Sequence, residues 1–197
     1  MKQVTTLAVP TCVPTRSYGT LGRIARKTLG YKGWTIVGEL PQQPKFILAV
    51  APHTSNWDFF VGIAAMCSLG LKVSFFAKAS IFRWPIKSLL TAIGGIGIDR
   101  SHSHGVVGQI VEEFQQSEQF ILGLAPEGTR SKTREWKTGF LHIAKRANVP
   151  VVPVSFDFMK KEVCFHPPVV ISGEVEQELI EFKALFSDVC AKNPQAV

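Results

Sequence analysis

The stretch KFILAVAPHTSNWD, residues 45–58, decides the fold that the sequence predicts. Its first seven residues, Lys45–Ala51, are almost wholly apolar and are bounded by prolines, which is typical of a strand buried on both faces of a sheet. The segment Phe59–Leu69 is long and apolar, and Gly70 follows it, which predicts a helix. The residues between these two segments therefore form a predicted strand-to-helix turn at the end of a buried strand.

His53 lies in this predicted turn, and Asp58 follows it five residues later. If both residues were helical, their side chains would point roughly 140° apart. With His53 in the loop and Asp58 in the first helical turn, the carboxylate can bond one ring nitrogen and leave the other to accept a proton from a hydroxyl. A second interpretation stays open, because Ser55 and Asp58 also fit a capping box that serves the start of the helix.

Three further segments stand out along the chain. Gly94–Arg100 is a glycine-rich turn into a short strand that ends on an arginine. Pro126–Arg130 follows a predicted buried strand, and its Gly, Thr and Arg suit a phosphate or a developing oxyanion. The alternative for this segment is an ordinary turn in which Arg130 pairs with Glu127. Val149–Val154 predicts a strand, and its prolines predict a position near the edge of the sheet.

Length and composition predict one domain, residues 1–197, because 197 residues with 46% hydrophobic content suffice for one sizeable core. The net charge is +7, and residues 1–100 carry 12 Lys and Arg against 3 Asp and Glu. This imbalance favours an anionic substrate or an anionic surface. Nucleic acid is not expected as a partner, because no basic run with interleaved aromatics and no RNA-binding signature occurs.

The four cysteines are widely scattered, which predicts neither a metal site nor a disulfide framework. A reducing compartment is the simpler expectation for such a chain. No uncharged apolar run approaches the ~20 residues that a spanning helix needs. The sequence therefore predicts a protein that is soluble or lies on a membrane.

Residues 1–44 are predicted to form a basic amphipathic arm, with a helix over 16–29. One side of this helix is apolar and the other is basic. The apolar side carries Tyr18, Leu21, Ile24, Ala25 and Leu29, and the basic side carries Arg16, Arg23, Arg26 and Lys27. The helix could lie on anionic lipid or pack its apolar face on the domain, and the sequence leaves both interpretations open.

The order of four segments resembles the glycerolipid, or lysophospholipid, acyltransferase family, which is marked by a His-x4-Asp motif and three further blocks. His53–Asp58 is similar to the first block and Gly94–Arg100 to the second. Pro126–Arg130 is similar to the third block and Val149–Val154 to the fourth. The four segments occur in the family's order over roughly half of the chain.

The resemblance implies an α/β fold: a single domain with a mixed, mostly parallel sheet flanked by helices, which agrees with the alternation of predicted elements. It implies that His53 deprotonates the acceptor hydroxyl, that Asp58 orients His53, and that the hydroxyl attacks a fatty-acyl thioester. The donor would be acyl-CoA or acyl-carrier protein as co-substrate, and no metal or other cofactor is implied.

The resemblance also implies an acceptor, a lysophospholipid such as 1-acyl-glycerol-3-phosphate. Its phosphate would be held by five residues, which are Arg100, Glu127, Gly128, Thr129 and Arg130. The implied location is cytoplasmic and peripheral, at the inner face of the cytoplasmic membrane and in contact with anionic lipid. Two alternatives remain: an acceptor lipid that lacks a phosphate monoester, and a lipid- or anion-binding protein without turnover.

Overall fold

The computed structural model describes residues 4–5, 7–52, 55–78, 86–98, 105–127, 136–187 and 189–191. These residues contain seven strands and six helices, which alternate along the chain except at two places where one strand directly follows another. The strands are β1 (Thr35–Gly38), β2 (Lys45–Val50), β3 (Val73–Lys78), β4 (Gly95–Ile98), β5 (Phe120–Leu124), β6 (Val151–Asp157) and β7 (Glu162–Phe165). The helices are α1 (Gly19–Tyr31), α2 (Asn56–Leu69), α3 (Ile86–Ala92), α4 (Gly105–Gln116), α5 (Gly139–Ala147) and α6 (Val175–Ala184).

The seven strands form one sheet in the order β1-β7-β6-β2-β5-β3-β4. The pair β6–β7 is antiparallel, and the other neighbouring pairs are parallel. The predicted mixed, mostly parallel sheet is therefore confirmed. Because parallel strands end at a common edge, the carboxyl ends of β2, β5 and β3 lie together, where ligands usually bind in such sheets. The extent of the predicted domain, residues 1–197, stays a prediction.

Strand β2 lies at the centre of the sheet and is buried on both faces, as its sequence predicts. Phe46 and Leu48 pack in a cluster with residues of α1 and α2 on one face. Ile47 and Ala49 pack in a second cluster with residues of α4, α5 and α6 on the opposite face. Consecutive residues of a strand point to opposite faces, so this single apolar run links both halves of the core.

Strand β6 corrects one expectation, because its prolines predicted a place near the sheet edge. It lies inside the sheet between β2 and β7, and all seven of its residues are buried. Pro153 pairs in register with Ala49 of β2, and its carbonyl accepts a hydrogen bond from the backbone of His166 at 2.9 Å. A proline lacks only the donor, so it can occupy an inner strand where its carbonyl is still used.

The sequence predicts a further strand over 164–171 and an acidic terminal helix over 174–191, and the corresponding elements β7 and α6 are both shorter. The predicted strand over 164–171 extends only to Phe165, because two prolines that donate no hydrogen bond follow His166. The predicted terminal helix over 174–191 ends at Ala184. None of the described helices is long and apolar enough to cross a lipid bilayer.

Helix α1 packs on the second half of α2. A Cβ atom built on Gly22 would lie 2.9 Å from the carbonyl oxygen of Cys67, so the two helix backbones nearly touch there. Ala25 and Leu29 are buried in the core, whereas Leu21 and Ile24 are 50% and 55% exposed. The predicted apolar side of α1 is thus divided, since one part packs on the domain and the other part faces outward.

We expect Gly38→Ala to destabilise the pairing of β1 with β7. Gly38 has a φ of +101°, and an added Cβ would lie 1.9 Å from the carbonyl oxygen of Phe165. The matched control is Gly33→Ala, with a φ of +79° and no atom within 3.7 Å of the added carbon. Urea unfolding should show a loss of about 1–2 kcal/mol for the control, from backbone strain alone. Gly38→Ala should lose more stability than this control, because the added Cβ also clashes with Phe165. If its loss in unfolding free energy is no larger than that of Gly33→Ala, the steric explanation is wrong.

Candidate active site

Strands β2 and β5 end side by side at one edge of the sheet. Ala49 of β2 pairs with Leu124, the last residue of β5. The chain leaves β2 towards α2, and it leaves β5 through a turn at Pro126 and Glu127. The first and third motif segments therefore depart from neighbouring positions on the sheet, although about 70 residues separate them in the sequence.

A capping box holds Asp58 at the start of α2. The Ser55 hydroxyl accepts a hydrogen bond from the backbone N–H of Trp57 at 3.2 Å. The backbone N–H of Ser55 donates to Asp58 Oδ2 at 2.6 Å, and the Ser55 hydroxyl donates to Oδ1 at 3.1 Å. The capping-box interpretation is therefore confirmed. It fixes the position of a carboxylate that is only 1% exposed.

Asp58 also forms part of the wall of a cavity of about 680 Å³, a size that suits a small organic ligand. Apart from this carboxylate, the wall is mainly apolar and comes from both α2 and the sheet. Its described lining includes Val50, Gly62, Ala65, Met66, Val73 and Phe156. A charged group in the wall of a mainly apolar cavity suits a ligand that has a polar reacting group and a hydrocarbon part.

The cavity follows the inner side of α2. Asp58 and Met66 both line it, and they lie eight positions apart, which corresponds to about 12 Å along a helix. Gly62 lies between them, where an added Cβ would approach Phe156 Cζ to 3.2 Å. The absence of a side chain at Gly62 therefore leaves room between α2 and the sheet.

Lys137 is a cation at this cavity that the sequence analysis did not single out. It lines the cavity and is exposed to solvent. Its backbone N–H donates to the carbonyl oxygen of Pro126 at 2.9 Å, which ties the start of α5 to the turn after β5. A single lysine ahead of a helix carries no recognisable signal, so only the folded arrangement reveals that Lys137 and Asp58 share a cavity.

Of the residues predicted for the site, the structure describes Asp58 and Glu127. Glu127 is half-buried in the turn after β5. The other predicted site residues lie outside the described residues, and their roles stay predictions: His53, Arg100, Gly128, Thr129 and Arg130. The proposed contact between His53 and Asp58, and the alternative pairing of Arg130 with Glu127, lie outside the described part of the chain for the same reason.

A second polar pair is buried elsewhere, between β6 and the segment after β7. Ser155 Oγ and His166 Nε2 lie 2.9 Å apart, and Ser155 is 2% exposed. Burial lowers the pKa of His166, and the Glu162 carboxylate opposes this shift. Neither Ser155 nor His166 lines the cavity at Asp58. Among the described residues, no group of three or more His, Cys, Asp or Glu side chains is arranged to hold a metal ion.

Comparison with known proteins identifies the family of this chain. A family model described as Acyltransferase matches residues 35–157, from the start of β1 to the end of β6. The chain belongs to the acyltransferase family. The predicted family is thereby confirmed, and the matched range contains all four motif segments.

Several curated acyltransferases are similar to this chain. The 1-acyl-sn-glycerol-3-phosphate acyltransferase of Escherichia coli (strain K12) is 37% identical over 112 residues, which are 53% of this chain and 44% of that protein. A probable 1-acyl-sn-glycerol-3-phosphate acyltransferase of Mycoplasma pneumoniae is 31% identical over 145 residues, 68% of this chain and 53% of that protein. The Saccharomyces cerevisiae enzyme of the same name is 30% identical over 128 residues, 60% of this chain and 41% of that protein. The matched part spans about half the length of these relatives.

A solved structure shares the fold. The crystal structure of the 1-acyl-sn-glycerophosphate (LPA) acyltransferase PlsC from Thermotoga maritima superposes with a TM-score of 0.58. The match covers 84% of this chain and 75% of that chain at 19% sequence identity. The α/β fold that the family resemblance implies is therefore confirmed for this chain.

Proposed function

We propose that this protein transfers a fatty-acyl group from acyl-CoA or acyl-carrier protein to the hydroxyl of a lysophospholipid in phospholipid biosynthesis. The proposed acceptor is 1-acyl-glycerol-3-phosphate, which is the acceptor in the names of the E. coli and yeast relatives. The observation that carries the proposal is the largely apolar cavity with Asp58 in its wall, in a chain of the acyltransferase family. Burial of a hydrocarbon chain in such a cavity contributes roughly 25 cal/mol for each Å² removed from water.

In the proposed mechanism, His53 is the general base and Asp58 orients it. One ring nitrogen of His53 takes the proton of the acceptor hydroxyl while the hydroxyl oxygen attacks the thioester carbon. The tetrahedral intermediate collapses by breaking the carbon–sulfur bond, which leaves an ester. The departing thiolate receives the proton from His53 and becomes the free thiol of CoA or of the carrier protein. The capping box supports this role, because it fixes the carboxylate before substrate binds.

We propose that cationic side chains hold the phosphate of the acceptor. Arg100 and the segment Glu127–Arg130 are the residues that the family motifs assign to the acceptor phosphate. We add Lys137, because it lines the cavity that contains Asp58 and is bonded through its backbone to Pro126. Fixing the phosphate positions the hydroxyl near the base and the thioester, and such positioning accounts for much of the rate enhancement in many enzymes.

Two exposed aromatic residues on α2 support a peripheral contact with a membrane. Phe60 lies seven positions before Cys67, and Trp57 lies eleven before Ser68, so each pair of side chains shares one side of the helix within about 20°. Helix α1 covers Cys67 and Ser68, whereas Trp57 and Phe60 are 63% and 60% exposed. Exposed aromatic side chains of this kind are suited to the interface of a bilayer.

The first prediction concerns the catalytic pair. We expect His53→Ala and Asp58→Asn to lower the rate of thiol release from acyl-CoA with 1-acyl-glycerol-3-phosphate by about a hundredfold or more. Ser55→Ala is the control, because it removes the capping hydroxyl but keeps the carboxylate. It should cost about 1 kcal/mol of stability and lower the rate far less than either catalytic variant, because the backbone N–H of residue 55 still donates to Asp58 Oδ2. Full turnover in a folded His53→Ala variant would remove the general-base assignment.

The second prediction concerns the acyl chain. Ala65 is 2% exposed, lines the cavity, and lies seven positions from Asp58, or about 10 Å along the helix. We expect Ala65→Leu to lower kcat/KM for palmitoyl donors by about tenfold or more relative to octanoyl donors. Ala64→Leu is the matched control, because Ala64 does not line the cavity. An unchanged preference in a folded Ala65→Leu variant would separate this cavity from the acyl chain.

The third prediction concerns Lys137. Replacing it with Met removes the charge and keeps much of the apolar stem, so KM for the phosphate-bearing acceptor should rise several-fold with little change in kcat. The control is Lys145→Met in α5. Lys145 donates to the carbonyl oxygen of Gly173 and does not line the cavity. If the acceptor KM is the same in both variants, Lys137 does not bind the phosphate. A rise in the acyl-CoA KM instead would assign it to the donor.

A further inference from the structure

A second cavity lies at the opposite end of α2, between that helix and α1. Its volume is about 440 Å³, and its described lining contains four cations and no carboxylate. The cations are Arg16, Arg23, Arg26 and Lys27. In the described part of the chain, none of them forms an ion pair with an Asp or Glu side chain. A concave site with uncompensated positive charge of this kind attracts anions.

Two of the arginines are held in place by contacts with neighbouring groups. Arg26 donates from Nη2 to the carbonyl oxygen of Ser68 at 2.6 Å. The guanidinium carbon of Arg16 lies 4.7 Å from the centre of the Tyr18 ring, and the Tyr18 hydroxyl donates to the carbonyl of Leu71 at 3.0 Å. These contacts position two cations before any ligand binds, which lowers the entropic cost of binding.

The other two cations, Arg23 and Lys27, are exposed and lie four positions apart on the same face of α1. Arg23 makes one long hydrogen bond, to the Thr20 hydroxyl at 3.4 Å. No acidic residue occurs in the first turn of α1, so the positive end of that helix adds to the same field. The site therefore combines two fixed cations with two that are free to adjust to a ligand.

This cationic cavity is distinct from the proposed reaction site. Asp58 and Gly70 lie twelve positions apart, which corresponds to about 18 Å along α2. The two cavities share no described lining residue. The charge at the second cavity is therefore not explained by the acyl-transfer reaction or by the binding of its acceptor.

The surroundings indicate which anion the cavity receives. Leu21 and Ile24 of α1 are 50% and 55% exposed, and Lys27 lies roughly 60° around the helix from Ile24. Exposed apolar side chains beside cations are the arrangement of a helix that lies in the interface of a bilayer, with the charges among headgroups. An acidic protein partner would match the charges, but it would not explain why large apolar side chains of α1 are exposed next to them.

We propose that the cavity lined by Arg16, Arg23, Arg26 and Lys27 is a binding site for the phosphate group of an anionic membrane lipid. The phosphate lies among the four cations, and Leu21 and Ile24 contact the acyl region of the bilayer. The site gives the membrane contact of the proposed function a defined headgroup pocket. It also sets the orientation of the protein, because it binds the membrane on the same outer side of α2 that carries Trp57 and Phe60.

The test measures vesicle binding by flotation, with vesicles of phosphatidylcholine alone or with phosphatidylglycerol added. The variant is Arg23→Gln with Lys27→Gln, since neither side chain contacts the core. Each basic residue near an anionic surface contributes about fivefold in affinity, so we expect the double variant to lose roughly thirtyfold in affinity for the anionic vesicles. The matched control is Lys145→Gln with Arg146→Gln, which removes the same charge from α5 on the opposite face of the sheet. The control should bind nearly as well as the unmodified protein.

Further measurements distinguish binding of the phosphate group itself from attraction by net charge and from binding of an acidic protein. Inorganic phosphate or glycerol phosphate that displaces the protein from vesicles, but does not do so for the double variant, supports a pocket that binds the phosphate group itself. Equal losses for the variant and the control would overturn the pocket, because net charge alone would explain binding. A variant that keeps vesicle affinity but loses binding of acyl-carrier protein would also overturn it, in favour of an acidic protein partner.

The outcome does not depend on the proposed reaction. Vesicle binding is measured without an acyl donor, and His53→Ala should bind vesicles like the unmodified protein even if it has lost all turnover. Conversely, the double variant should retain its rate with a water-soluble, short-chain acceptor. Loss of that rate would show that these cations act at the reaction site, which would contradict the separate pocket.

Discussion

Strand β2 is enclosed by β6 on one side and β5 on the other, and both of its faces are packed against helices. This constraint determines where the chain can bring polar groups together. The four inner residues of the strand, Phe46–Ala49, are all buried, so polar side chains are available only where the strand begins or ends. The parallel pairing with β5 brings the ends of both strands to the same place. The chain therefore leaves β2 and β5 at neighbouring positions on the sheet.

Asp58 shows how a charged group is tolerated at that edge. A carboxyl group with 1% exposure requires hydrogen bonds that replace water, and Ser55 supplies two of them. The two interpretations of Asp58, helix cap and partner of a histidine, are therefore compatible rather than exclusive. The cap fixes the carboxylate and the start of α2 together. Preorganisation of this kind is what a group that orients a catalytic base requires.

Local patterns in the sequence predicted much of the fold, and the failures occurred where long-range contacts decide the outcome. The apolar run of β2 and the glycine that ends α2 act over a few residues, so both were predictable. The prolines of β6 predicted a sheet edge, but the strand lies inside because its carbonyls are used by neighbouring elements.

Lys137 could not be assigned to the site from sequence, because its approach to Pro126 depends on how α5 returns to the sheet. The helical wheel of α1 showed an apolar side correctly, but it could not show that Ala25 would be buried and Ile24 exposed.

Helix α2 has a cavity on its inner side and two exposed aromatic rings on its outer side. An α-helix with its side chains is only about 10 Å thick. If the outer side rests on lipid, then a hydrocarbon tail has a route from the bilayer to the cavity that passes around a single helix. Such a sideways route would spare the tail an exposure to water that costs about 0.8 kcal/mol for each methylene. The small diameter of α2 would then matter to the supply of substrate as much as the groups at the start of the helix matter to the reaction.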